Sequence, residues 1–181
     1  MRCFIAVDLP KEAQERLAKI EEQIKRFEIK ANFIKPEQLH LTIRFLGEVS
    51  DFKMNQIKGL LKEITIKKFK ARLNTLGVFP SESFIRVVWI NLEPGKKFQE
   101  IHELIDKKLE SIKIKPDPRF ESHVTLARIK WLKDRAEFIE KLKKIKVEPL
   151  EFNIESLKLK KSTLTKEGPI YEDIIEIKFE D

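Results

Sequence analysis

Apolar residues recur along this chain at two spacings, and the changes between them predict its elements. Residues 4–9 (FIAVDL) form a short apolar run closed by Pro10, after which Ala13, Leu17, Ile20, Ile24 and Phe27 mark one face of a helix. A loop with Pro36 leads into residues 39–46 (LHLTIRFL), where apolar and polar positions alternate as in a strand. Met54, Ile57, Leu60, Leu61 and Ile64 predict a second helix. The same order then returns. Residues 87–92 (VVWINL) pass through Glu93-Pro94 into a helical pattern of Phe98, Ile101, Leu104, Ile105 and Leu109. A loop with Pro116 and Pro118 precedes the strand-like residues 122–129 (SHVTLARI), and Phe138, Leu142 and Ile145 mark a helix that Asp134 is placed to cap. Further strands are predicted at 69–76, 84–91, 151–161 and 171–179.

The two passes are in register. Leu9 to Leu92, His40 to His123 and Thr42 to Thr125 are each 83 residues apart. Strand, helix, strand and helix, twice over, predict a duplicated α+β unit whose two sheets face each other across a pseudo-twofold axis. A cleft on that axis would receive the same side chains from both halves.

Composition narrows the class. A chain of 181 residues with 41% hydrophobic content can bury a sizeable core. No stretch approaches the ~20 apolar residues of a membrane span, and the N-terminal residues lack the pattern of a signal peptide. The single Cys3 excludes an intramolecular disulfide and a Cys-rich zinc site. A soluble, cytoplasmic protein is expected. The net charge of +7 favours a polyanionic ligand, although Lys and Glu are interspersed as on a solvated exterior. Charged residues at 37%, with much Lys, Glu and Ile, are also the mix of a heat-adapted protein.

Chemistry concentrates in the two matching strands. Strand side chains alternate faces, so His40, Thr42 and Arg44 are expected together on one face, and His123 with Thr125 on the corresponding face of the other strand. Only three histidines are present, and two of them open an H-x-T. The third, His102, lies mid-helix without the second His of a zinc motif and reads as structural or merely exposed. Opening a cyclic phosphodiester needs a proton taken from water and a proton given to the leaving oxygen, and imidazole does either near neutral pH. Thr42 and Thr125 can donate to the nonbridging oxygens, where charge accumulates. Arg128 would neutralise phosphate if its strand twists or bulges, and Arg44 would do the same from the histidine face. Phe45, Phe79, Phe84, Trp89 and Tyr171 are candidates to stack on a base, and the lysine-rich stretches 128–135 and 157–161 are candidates to follow an RNA backbone.

The segments RCFIAVDLP, HLTIRFLGEV, LGVFPSESFIRVVWINL, HVTLARI and ESLKLKKSTLTKEGPIYE resemble those of the two-histidine (2H) phosphoesterases. They are most similar to the RNA 2′,3′-cyclic phosphodiesterase group, first named 2′-5′ RNA ligases. The resemblance spans most of the chain. It implies one bilobal domain over residues 1–181, with duplicated antiparallel sheets around a central cleft and helices outside. It also implies His40 as proton donor, His123 as proton acceptor, both threonines on the phosphate, and a 2′-phosphomonoester product. Catalysis without cofactor or metal, by a monomer acting on RNA with a 2′,3′-cyclic phosphate end, is the expectation. The rival readings are a ligase joining that end to a 5′-hydroxyl, a noncatalytic RNA-end-binding module, and an enzyme for a nucleotide or ADP-ribose cyclic phosphate.

Overall fold

The apolar run CFIAV is buried at every position of β1 (Arg2–Asp8), as a strand covered on both faces must be. A computed structural model describes residues 1–166 and 168–181. After β1 come α1 (Lys11–Ile24), β2 (Ile29–Phe33), β3 (His40–Glu48), α2 (Asp51–Lys62), β4 (Phe69–Ser81) and β5 (Phe84–Glu93). The second half continues with α3 (Gly95–Glu110), β6 (His123–Leu132), α4 (Arg135–Lys144), β7 (Glu151–Ile154), β8 (Ser156–Thr165) and β9 (Gly168–Lys178).

The strands run in the order β7-β4-β5-β6-β3-β1-β8-β9, with β2 beside β6. This order is the same read from either end under the pseudo-twofold relation, which exchanges β6 with β3, β5 with β1 and β4 with β8. The expected facing sheets are therefore the two wings of one curled antiparallel sheet. The wings meet at a single paired position, Leu41 opposite Val124, and these residues are themselves 83 apart. The axis passes between them.

Two expectations change. The stretch before Pro36, read as loop, contains β2, whose Ala31, Asn32 and Phe33 pair with Ile129, Arg128 and Ala127 of β6. Its backbone is held by a strand almost a hundred residues away in sequence, which no local pattern reveals. The matching stretch of the second half puts Pro116 at the place of Phe33 and forms no strand. The strand expected over 151–161 breaks at Glu155. Its first part pairs with β4 and its second with β1, at opposite wings of the sheet.

The helices cover the outer face. Leu17 and Ile24 of α1 and Phe98 and Ile105 of α3 are wholly buried, and the core runs unbroken through both halves. Helix α1 packs beside β6 and α3 across β3, so each helix rests on the central strand of the other half. Ser50 caps α2, and the Asp134 carboxylate caps α4 by accepting from the Glu137 N–H at 2.9 Å. Among the described residues, no helix is long and apolar enough to cross a membrane.

Candidate active site

The inner face of the curled sheet encloses a cavity of about 650 Å³ at the junction of β3 and β6. His40, Thr42, His123, Thr125 and Arg128, the residues singled out from sequence, all line it. They come from equivalent strands of the two halves, as the duplication requires.

A duplicated β-bulge explains which side chains reach the cavity. Between β1 and β3 the pairing steps from Ala6–Thr42 to Ile5–Arg44, so Ile43 is the extra residue. Between β5 and β6 it steps from Trp89–Thr125 to Val88–Ala127, so Leu126 is extra. An extra residue resets the alternation of faces beyond it. Phe45 and Arg128 consequently join the histidines and threonines at the cavity, while Arg44 and Ala127 turn to the buried side. Arg128 thus arrives by a bulge, whereas Arg44 does not share the histidine face. Its Nε donates to the Asp106 carboxylate at 2.5 Å, and its other nitrogens donate to the carbonyls of Phe45 and Lys115. A buried guanidinium needs such a set of acceptors.

His102 is part of the same buried network. Its Nδ1 lies 2.8 Å from the Ile43 carbonyl and its Nε2 2.7 Å from that of Asp117, with the ring stacked on Phe120. Both ring nitrogens are engaged, so this histidine is structural. Together with Arg44 it holds the carbonyls of Ile43, the extra residue of the first bulge, and of Phe45 just beyond it.

The two cavity histidines are set alike. His40 Nδ1 lies 2.6 Å from the Gln38 carbonyl, and His123 Nδ1 lies 2.8 Å from that of Glu121. Gln38 and Glu121 are again 83 residues apart. A carbonyl only accepts, so each Nδ1 carries the proton and each Nε2 is the nitrogen left to give or take one. Aromatic rings enclose both imidazoles, with Phe4 and Tyr171 at 5.0 and 5.2 Å from His40, and Phe79 and Trp89 at 5.0 and 6.4 Å from His123. Burial lowers the proton affinity of each, and the backbone hydrogen bond partly offsets this.

The aromatic candidates divide. Phe45, Phe79 and Tyr171 line the cavity, while Trp89 backs Phe79 at 4.9 Å. Phe84 lies at the start of β5 under the Arg86 guanidinium and away from the cavity. The stretch 157–161 offers few free cations: Lys158 and Lys160 each bind Asp8 and Asp173, and Lys161 binds Glu172. In the other lysine stretch, Lys133 is paired with Glu28. Arg2, Gln38 and Ser162 add polar groups to the lining that sequence reasoning did not select; Gln38 lies outside the family-like segments, and Arg2 and Ser162 lie within them with no pattern to single them out. Among the described residues, no three His, Cys, Asp or Glu side chains gather as a metal site.

A family model described as LigT like Phosphoesterase matches residues 7–89 and again 90–171, once per half. The RNA 2′,3′-cyclic phosphodiesterase of Methanocaldococcus jannaschii is 38% identical to this chain, over 97% of it and 99% of the relative. A protein of the same name from Methanothermobacter thermautotrophicus is 30% identical, over 96% of each chain. The crystal structure of TT0787 of Thermus thermophilus superposes with a TM-score of 0.84 at 28% identity, covering 99% of this chain and 98% of that one.

Proposed function

The chain belongs to the LigT-like phosphoesterases, and on that premise we propose that it hydrolyses RNA 2′,3′-cyclic phosphate ends to 2′-phosphomonoesters. The observation that carries the reading is the pair of matched imidazoles, each fixed at Nδ1 by a backbone carbonyl and, among the described residues, without a hydrogen bond at Nε2 beside the cavity. In the proposed reaction, His123 Nε2 takes a proton from water as the water oxygen bonds to phosphorus. The bond to O3′ breaks on the opposite side, and protonated His40 gives its Nε2 proton to that oxygen. Thr42 and Thr125 hydroxyls donate to the nonbridging oxygens, and Arg128 balances their charge. The shared proton is restored by exchange through solvent.

Every step is assigned to a side chain of this chain, so no metal or cofactor is invoked. The enzyme is read as one domain of two pseudo-symmetric halves, acting as a cytoplasmic monomer. The names of the relatives support the substrate, and the match to both halves supports a site that needs both.

The test is an oligoribonucleotide ending in a 2′,3′-cyclic phosphate, incubated with the enzyme in EDTA, with the product end identified. A 2′-phosphate is expected. No turnover until a particular divalent metal is restored would defeat the mechanism. A joined product in the presence of a 5′-hydroxyl RNA, without hydrolysis, would favour the ligase reading instead.

A further inference from the structure

The two halves differ in charge at one position beside each histidine. Asp8 stands directly opposite His40 in the ladder of β1 and β3, and Asn91 directly opposite His123 in the ladder of β5 and β6. The 83-residue offset relates Asp8 to Asn91. Directly opposed residues of an antiparallel pair present their side chains on the same face, with Cβ atoms roughly 5 Å apart. Each imidazole therefore has one such neighbour, a carboxylate in the first half and a neutral amide in the second.

The two neighbours are held differently. Asn91 turns to β4, where its Oδ1 accepts from the Thr75 N–H at 2.7 Å and the Thr75 hydroxyl at 2.9 Å. Asp8 is fixed by cations, with Lys160 Nζ 2.9 Å from one oxygen and Lys158 Nζ 3.0 Å from the other. Both lysines also bind Asp173 at 2.7 Å, which closes a neutral cluster of four charges. Around His40, then, stand Asp8 on β1, Lys160 on β8, Tyr171 on β9 and His123 on β6, with Lys158 of β8 and Asp173 of β9 completing the cluster that holds Asp8 and Lys160. Enclosure, Lys160 and His123 all oppose a proton on His40, while Asp8 and the Gln38 carbonyl favour one. Around His123 stand Glu121, which favours a proton, and Arg128, which opposes it. Arg128 has the uncharged Phe45 as its counterpart in the first half.

Resting on the acid–base reading above, we infer that Asp8 is a positioning residue that lets enclosed His40 carry the proton it donates. Asn91 keeps the matching place beside His123 uncharged, so that this imidazole is free to accept one. The lysine pair orients the Asp8 carboxylate. In this way a nearly two-fold site acquires a donor side and an acceptor side.

NMR titration of the imidazole C–H signals tests this without requiring turnover, because only three histidines are present. Asp8→Asn places the second half's amide in the first half. The His40 midpoint should fall by about half to one pH unit, the effect of one charge at this range in a partly solvated site. The alkaline limb of the turnover profile should move down with it. Asn91→Asp should raise the His123 midpoint similarly and move the acidic limb up. If Asp8→Asn fails to fold with Lys158 and Lys160 left to share Asp173, Asn91→Asp decides the matter alone. An unmoved His40 midpoint in folded Asp8→Asn, or an unmoved His123 midpoint in Asn91→Asp, overturns the inference. So does a loss of turnover in Asp8→Asn that is equal at every pH. Wild-type enzyme that titrates as expected but leaves cyclic phosphates intact would instead defeat the proposed reaction.

Discussion

Glu21 offers a measurement of how tightly the outer helices are seated. It lies on the buried face of α1 at 2% exposure, and its Oε1 has no hydrogen-bond partner among the described residues. Burial pushes its carboxyl up to about 8, with Lys25 too weak an opponent to prevent it. The folded chain thus keeps this proton to about pH 8, while the unfolded chain releases it near 4.5. Folding takes up a proton between those values, so this contribution to stability is complete below pH 4.5, falls as pH rises, and levels off above about 8. At ~1.4 kcal/mol per unit, the gap is worth on the order of 5 kcal/mol. That is comparable to the whole stability of many domains, about 5–15 kcal/mol. Glu21→Gln removes the titration while keeping the shape. The amide brings its own unpaired group, which adds an offset that does not vary with pH. The measurement is therefore a difference of slopes. Thermal unfolding of both proteins from pH 4.5 to 9 should show the wild type losing ground to Glu21→Gln by about 10–20 °C, taking ~2–4 °C per kcal/mol at this chain length. A constant difference in Tm across that range would refute the argument and mean that the carboxylate reaches water when it ionises.

Four further outcomes are expected. His40→Ala and His123→Ala should each lower turnover by a factor of ~10² to 10⁴, and a substrate with a much more acidic leaving group should rescue only His40→Ala; rescue of His123→Ala would reverse the roles. The turnover profile should be a bell whose limbs belong to the histidine pair, with the acidic limb displaced below the usual imidazole range because burial lowers both groups; a flat profile would remove the pair from proton transfer. Gly77→Ala would drive a methyl into the Trp89 indole, which backs Phe79 and His123, so it should cost about 1–3 kcal/mol of stability and reduce turnover, with Trp89→Phe restoring part of both; unchanged Trp fluorescence and activity would show that the ring is not confined. Asp106→Asn removes the carboxylate hydrogen-bonded to buried Arg44, leaving only that of Asp117 at 3.8 Å, and should cost about 3–5 kcal/mol, as read by urea unfolding; a cost below ~1 kcal/mol would show that Asp117 and the carbonyls of Phe45 and Lys115 suffice.

What was legible in the sequence had a period or a repeat behind it. Helices α1 to α4 follow the 3.6-residue spacing of Leu17, Ile57, Ile105 and Phe138 with their neighbours. The 83-residue register matched His40 with His123 and Thr42 with Thr125, strand alternation put each His on one face with its Thr, and the cavity gathers all four. What failed depended on contacts distant in sequence. Strict alternation put Arg44 on the histidine face, and one extra residue in the ladder sends it to the buried side and brings Phe45 to the cavity in its place. Strand β2 exists because β6 offers it an edge, and the lysines of β8 look like an exposed cationic stretch until Asp8 and Asp173 are seen to face them. His102 could be assigned a structural part from its helix, but not the two carbonyls that occupy it.

The mirrored order of the strands has a consequence for how such a site can change. If two identical chains formed this groove, every substitution would be written on both sides at once, and a reaction with distinct entering and leaving groups would face matching walls. Carrying both copies in one chain removes that constraint. Because both copies belong to one polypeptide, they also cannot separate on dilution, so no affinity between them has to be preserved while either one drifts. Phe45 set against Arg128, and Asp8 set against Asn91, are positions where one copy has departed from the other with the shared backbone left intact.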